Sequence, residues 1–144
     1  MQLIGVAAQL AAANASAQAY EASGEAEAQA KRDQAEAVES KAKDEEIIRL
    51  QKLRQVRASQ RAYWSAAGID PATGSPVTVA DRSYEMFTLD QGAALINTRS
   101  QVRNLNNSAD ASIRIGKIQA RGARMRGMMG AAQNISDSAS SWNT

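Results

Sequence analysis

The sequence predicts an all-α protein: a long antiparallel helical hairpin that assembles into an oligomeric ring or tube. Alanine dominates long stretches of the 144 residues, and proline occurs only twice. That composition favours helix. Aromatic residues make up only 4% of the chain, so few large side chains are available to fill a globular core. Two helices with so little to bury are expected to need further copies of the chain.

The first half of the chain is predicted to form helix from the N-terminal region to the turn. Residues 1–24 form an apolar, alanine-rich segment, and residues 25–67 form a long charged helix. The stretch from Ala7 to Ala67 contains no proline, and Gly24 is its only glycine. One very long helix or two nearly collinear ones is therefore expected, and Ser23-Gly24 is the expected weak point, since glycine costs a lone helix about 1 kcal/mol relative to alanine.

A second long helix is predicted over residues 77–131, and its far end is rich in glycine and methionine. The glycines there are tolerable where two backbones approach closely. Ala123, Gly127 and Ala131 stand four residues apart, as in a small-residue packing seam. Residues 132–144 are expected to form a flexible polar tail.

The turn between the helices is predicted at residues 68–76. A left-handed glycine followed by an apolar residue is typical of a helix C-cap. An Asp-Pro step then prevents helix from resuming, and a Ser-Pro step suits the start of a new helix, with serine as the N-cap and proline in the first helical position. The residues that carry these signals are Gly68, Ile69, Asp70, Pro71, Gly74, Ser75 and Pro76.

Apolar residues at helical spacing on both sides of the turn are predicted to hold the hairpin together. They are Leu53, Val56 and Tyr63 before the turn, and Val79, Met86 and Phe87 after it.

Residue types argue against an enzyme. Histidine and cysteine are both absent, which removes the commonest general base, a strong nucleophile and the usual metal ligands. No catalytic residue, metal site or cofactor is therefore predicted. The acids Asp81 and Glu85 share a helix face, and we expect them to pair with Arg57 or Arg61 across the hairpin or to complement the helix N-terminus.

A basic stripe follows one flank of the second helix. Residues 101–144 carry six bases and two acids, whereas residues 1–30 carry three acids and no base. The stripe either faces DNA phosphates or anionic lipid headgroups, or it is a solvated flank, or it pairs with acids on a neighbouring copy. Its residues are Arg114, Lys117, Arg121 and Arg124.

The two chain ends should meet in an antiparallel hairpin and supply a surface for a membrane or a partner. A secretory signal would have a basic residue before its apolar run, and the N-terminal run here has none. The run is also shorter than the ~20 residues that span a bilayer. A ring of paired ends could nevertheless form an apolar belt, or the ends could pack on another protein. The contact residues proposed are Leu3, Ile4, Val6, Leu10, Met125, Met128, Met129 and Trp142.

The order of these segments resembles that of the small internal virion proteins of short-tailed bacteriophages. The resemblance covers most of the chain, but only the A-G-[VI]-D...G-S-P turn, within the passage RASQRAYWSAAGIDPATGSPVTVADRSYEMFTLD, is specific. The residues that match are Ala67, Gly68, Ile69, Asp70, Gly74, Ser75 and Pro76, followed more loosely by Asp81 and Glu85.

The resemblance implies a protein stored in the capsid and ejected at infection, which then oligomerises in the host envelope as part of a channel for the genome. Its expected partners are further copies, other internal virion proteins, portal or tail proteins, the host outer membrane and, non-specifically, DNA. Two alternatives remain open. One is a structural virion or head-to-tail component that forms a ring without contacting membrane; the other is a coiled-coil adaptor unrelated to phages.

Overall fold

A computed structural model of the chain describes the backbone of residues 2–140 and the side chains of residues 5–133. Helix α1 spans Gln2–Ala66 and helix α2 spans Ser75–Ser140, and the two helices pack against each other. No strand occurs in residues 2–140. The prediction of an all-helical pair is confirmed. The flexible tail predicted from residue 132 onward is wrong as far as Ser140, because α2 continues through those residues.

The chain divides into two compact units. The first, called here the terminal unit, comprises Met1–Asp33 and Leu105–Thr144; the second, the turn unit, comprises Gln34–Asn104. Each unit is built from one part of α1 and one part of α2.

Small residues hold the terminal unit together. Gly24 of α1 faces Gly116 of α2: a Cβ added to Gly24 would lie 3.2 Å from the Cα of Gly116 and 2.9 Å from the carbonyl oxygen of Ser112. A Cβ on Gly116 would lie 2.7 Å from the carbonyl oxygen of Tyr20. The helices therefore touch backbone to backbone. The prediction of a weak point at Gly24 is wrong, because this glycine lies inside a continuous helix and allows the close approach.

The same contact continues along both helices of the terminal unit. A Cβ on Gly127 would collide with Ala13, and Ala17, Ala120 and Ala123 form a buried cluster. The predicted seam of small residues on α2 is thus used within the chain, since Ala123 and Ala131 are also buried. Polar contacts also cross the pair: the Lys31 ammonium donates to the Ser112 hydroxyl over 2.7 Å, and Arg32 pairs with Asp110 at 3.5 Å.

The turn unit is packed more loosely. Leu53 and Phe87 are half-buried, as their predicted role in hairpin packing requires, but Val56, Tyr63, Val79 and Met86 are exposed. The prediction is wrong for those four, since only a narrow strip of each helix meets the other. The half-buried positions nearby include Arg49, Gln60 and Trp64 on α1, and Ala80, Ser83 and Gln91 on α2.

Polar side chains connect the two helices of the turn unit. Arg49 pairs with Asp90 at 3.7 Å and with Glu45 on its own helix at 3.2 Å. Within residues 5–133, no ion pair joins Asp81 or Glu85 to Arg57 or Arg61, so that predicted pairing is wrong. Asp90, which lies farther along α2, makes the cross-helix pair instead.

The turn closes α1 with the hydrogen bonds of a Schellman cap. The amide of Ile69 donates to the carbonyl of Trp64 over 2.9 Å, and the amide of Gly68 donates to the carbonyl of Ser65 over 3.1 Å. Gly68 has the left-handed φ of 72° that this cap needs.

The start of α2 differs from the prediction by one residue. The carbonyl of Gly74, which has a φ of 68°, accepts the first helical bonds from Val77 and Thr78, so Gly74 is the N-cap. Ser75 is then the first helical residue and Pro76 the second. Proline is still tolerated there because its missing N–H would have no helical partner.

Replacing Gly68 by alanine is expected to destabilise the protein by about 1 kcal/mol, because an L side chain at this φ is strained although the space around it is open. Gly92→Ala is the matched control. Gly92 lies inside α2 with nothing within 4 Å of an added Cβ, so it should gain up to about 1 kcal/mol in helix propensity. Urea unfolding followed by circular dichroism measures both, and equal midpoints for the two variants would contradict the cap.

Candidate functional site

The terminal unit presents an apolar stripe on the outside of α2. Its residues recur at alternating steps of four and three along the helix, and none of them is buried. We call this set the outer α2 stripe: Ala111, Ile115, Ile118, Gly122, Met125, Met129 and Ala132. The large members are widely exposed, at 54% for Ile115, 66% for Ile118, 59% for Met125 and 68% for Met129. Covering each of them fully would contribute about 1–2 kcal/mol. A stripe of this kind marks an interaction surface.

Helix α1 carries a matching stripe of alanines in the same unit. These alanines also recur at steps of three and four, on the side of α1 away from Gly24, and all are exposed. We call this set the outer α1 stripe: Ala8, Ala12, Ala15, Ala19, Ala22, Ala26 and Ala30. Each helix of the terminal unit therefore has two apolar sides, one used inside the chain and one open.

Three residues of the predicted basic stripe line a groove between α1 and α2 of the terminal unit. The groove, called here the basic groove, encloses about 300 Å³ and is lined by Glu21, Glu25, Ile113, Lys117, Arg121 and Arg124. The Arg124 guanidinium pairs with the Glu21 carboxylate at 3.2 Å. Acids of the same chain thus neutralise part of the basic charge. The predictions from sequence had named DNA, lipid, solvent and acids of a neighbouring copy, but not acids of the same chain.

Arg114, the remaining member of the basic stripe, does not line the groove. It is exposed next to the outer α2 stripe, and so is Arg126 on the other flank. The open cationic charge of this unit therefore borders the apolar surface.

The predicted contact between the chain ends is present in part. Gly127 lies against Ala13, and a Cβ on Gly130 would lie 3.9 Å from the Gln9 side chain. Leu10 and Met128 are exposed, and Val6 is half-buried. The side chains of Leu3 and Ile4, and the whole of Trp142, lie outside the described residues.

Sequence reasoning missed Ile115 and Ile118, the centre of the outer α2 stripe. The segment around them was interpreted by its basic residues, its glycines and its methionines, and not by these isoleucines. Steps of four and three link Ala111, Ile115, Ile118, Gly122 and Met125, and this second period in one helix was the signal that could have revealed the stripe.

The turn unit has a smaller cavity of about 190 Å³ next to the turn, with Arg57, Arg61 and Asp81 among its lining residues. The side-chain oxygen Oε1 of Gln60 is buried there without a hydrogen-bond partner, while the side-chain nitrogen Nε2 donates to the Ser83 hydroxyl over 3.2 Å. Among the described residues, no group of acids is arranged to hold a metal ion.

The described helices contain no segment long and apolar enough to cross a membrane. Comparisons of the chain with protein families, with curated proteins and with solved structures found no match.

Proposed function

We propose that this chain is an internal virion protein of a short-tailed bacteriophage. It is ejected into the host envelope, where it oligomerises as part of a channel for genome delivery. Its partners are further copies of the chain and other ejected or tail proteins, with the host outer membrane around the assembly.

The observation that carries this proposal is the exposed apolar surface near the two chain ends, where Leu10 and Met128 are open to solvent in a unit that also exposes Arg114 and Arg126. Apolar and arginine side chains together suit a surface between an assembled protein and anionic lipid headgroups. The contact with the envelope was predicted from the sequence at these two chain ends.

Two long helices with little buried volume also suit ejection. The buried residues of the terminal unit are mostly alanine, and no large side chain of the described residues is fully buried. Such a pair has few contacts to lose when it passes a narrow tail channel, and association with further copies restores its stability afterwards.

A second candidate is a structural virion or head-to-tail component that forms a ring without contacting membrane. The outer α1 stripe favours it, because alanine side chains offer little apolar area to lipid yet allow another helix to approach closely. A coiled-coil adaptor would form a simple dimer, which a measurement of mass in solution distinguishes.

Flotation with vesicles of phosphatidylethanolamine and phosphatidylglycerol tests the membrane contact. The full chain should float with the vesicles, and deletion of residues 1–12 should abolish flotation while leaving the remaining helices intact by circular dichroism. A length-matched variant, Leu3→Ser/Ile4→Ser/Val6→Ser/Leu10→Ser, should behave like the deletion, since it loses apolar area but no backbone.

The control changes four exposed apolar residues of the turn unit: Ile47→Ser/Ile48→Ser/Leu50→Ser/Val56→Ser. This variant should float like the unmodified chain. If the deletion floats undiminished, or if the unmodified chain stays with the soluble fraction, the non-membrane candidate replaces the proposed function.

A further inference from the structure

We propose that copies of the chain associate side by side through the terminal unit, with the outer α2 stripe of one copy packed on the outer α1 stripe of the next. The partner is a second copy of this chain, and the contact repeats in one direction around the assembly. This inference rests on the oligomeric part of the proposed function and specifies its interface.

The two stripes lie on opposite sides of the helix pair. Successive residues of an α-helix are rotated by about 100° around its axis, so two residues that are two positions apart point about 200° away from each other. Ala22 lies two residues before Gly24 in α1, and Ile118 lies two residues after Gly116 in α2. Because the two glycines face each other, Ala22 and Ile118 point away from the contact in opposite directions. A surface with different patches on its two sides repeats as a heterologous contact, which closes into a ring when the rotation permits.

The stripes are complementary in size. Isoleucine and methionine project from the outer α2 stripe, whereas the outer α1 stripe consists entirely of alanine. Large side chains fit onto a flat row of alanines, while two outer α1 stripes facing each other would bury little apolar area. The contact is therefore expected between unlike helices.

Charge also selects α1 of another copy as the occupant. In the terminal unit, residues 5–33 of α1 carry four acids and two bases, whereas residues 105–133 of α2 carry five bases and one acid. Packing α2 against α2 would bring Arg114 and Arg126, which border the outer α2 stripe, close to the same arginines of the other copy, and this is unfavourable. Packing α2 against α1 instead places Arg114 and Arg126 beside a helix segment of net negative charge.

The contact within the chain sets the register between copies. Gly24 faces Gly116, and eleven residues away on each helix Ala13 faces Gly127. A rotation about an axis parallel to the helices leaves the height of each residue unchanged. Ala22 of one copy therefore meets Ile118 of its neighbour, and Ala15 meets Met125 at the next contact along the helices.

Engineered disulfides test this register, and the natural chain contains no cysteine to interfere. The double variant Ala22→Cys/Ile118→Cys should give a ladder of dimers and larger covalent oligomers under mild oxidation. Its two thiols cannot join within one chain, because a disulfide requires Cβ atoms about 4 Å apart and two helices separate these positions. Ala15→Cys/Met125→Cys should give the same ladder, so the result does not depend on one variant folding.

The off-register control is Ala8→Cys/Ile118→Cys, in which the first thiol is displaced by about 21 Å along α1. It should give no ladder. Ladders of equal yield from matched and off-register pairs would overturn the proposal, as would covalent dimers from Ile118→Cys alone, which would indicate α2 packed on α2. Oligomers in solution without a ladder from either matched pair would also overturn it.

Occupation of the stripe by lipid is tested with the single variant Ile118→Cys. Protection of its thiol from maleimide should accompany self-association in the absence of vesicles; protection that appears only when vesicles are added would overturn the interface. If the chain forms the disulfide-linked ladder but does not float with vesicles, the interface is supported and the membrane contact is contradicted. The two proposals can therefore fail separately.

Discussion

Gly116→Val is expected to destabilise the protein by about 2–3 kcal/mol, the largest loss we expect from a single substitution in the terminal unit. The new Cβ would lie 2.7 Å from the Tyr20 carbonyl oxygen and 3.2 Å from the Cα of Gly24. Both neighbours are backbone atoms, so no side-chain rotation relieves the clash. The helices must move apart, which loosens the buried cluster of Ala17, Ala120 and Ala123.

Gly92→Val is the matched control, because it makes the same change in the same helix where nothing lies within 4 Å of an added Cβ. We expect its free energy of unfolding to remain within about 0.5 kcal/mol of that of the unmodified chain. In the double variant Gly24→Val/Gly116→Val the losses should not add, since one separation of the helices relieves both clashes. Equal stability of Gly116→Val and Gly92→Val in urea would show that the helices are not in contact at this point.

Ile118→Asp is expected to weaken self-association about 100-fold, which corresponds to about 2.7 kcal/mol. The substitution removes a side chain that is 66% exposed at the centre of the outer α2 stripe, and it places a carboxylate where the interface excludes water. Because Ile118 makes no part of the contact between Gly24 and Gly116, helicity should be retained.

Sedimentation velocity over a range of concentrations measures this effect. The control is Ile48→Asp, which introduces the same charge at an exposed isoleucine of the turn unit. It should leave the distribution of species unchanged. If both variants associate like the unmodified chain, the outer α2 stripe does not contribute to assembly.

The turn was the most predictable part of the fold because its chemistry is local. The Schellman cap depends on Gly68 and on backbone hydrogen bonds to residues about one helical turn earlier. A few neighbouring residues in the sequence are therefore enough to indicate it. The one-residue error at Ser75 has the same local character. Gly74 serves as the N-cap through its carbonyl, and the serine hydroxyl is not needed.

The contact between the helices was less predictable, because hydropathy does not mark it. Val56 and Met86 are apolar yet exposed, whereas alanine and glycine form the tight contact of the terminal unit. The cost of glycine in a lone helix made Gly24 look like a weak point. Only its position opposite Gly116, which the sequence does not state, turns that cost into a close approach.

The candidate site was predicted in outline and missed in detail. Met125 and Met129 were identified from their position near the end of the chain, and Lys117, Arg121 and Arg124 from their spacing. Their acidic neighbours in the basic groove come from α1, some hundred residues earlier, and could be placed only once the register of the two helices was known.

Electron cryomicroscopy of the full chain reconstituted with phosphatidylethanolamine and phosphatidylglycerol vesicles tests the central claim most directly. The proposed function predicts a closed ring or tube of more than four copies, with neighbouring chains in contact through the terminal unit and lipid density near Leu10 and Met128. Particles that remain monomeric or dimeric, or rings that lie free of the bilayer, would contradict it.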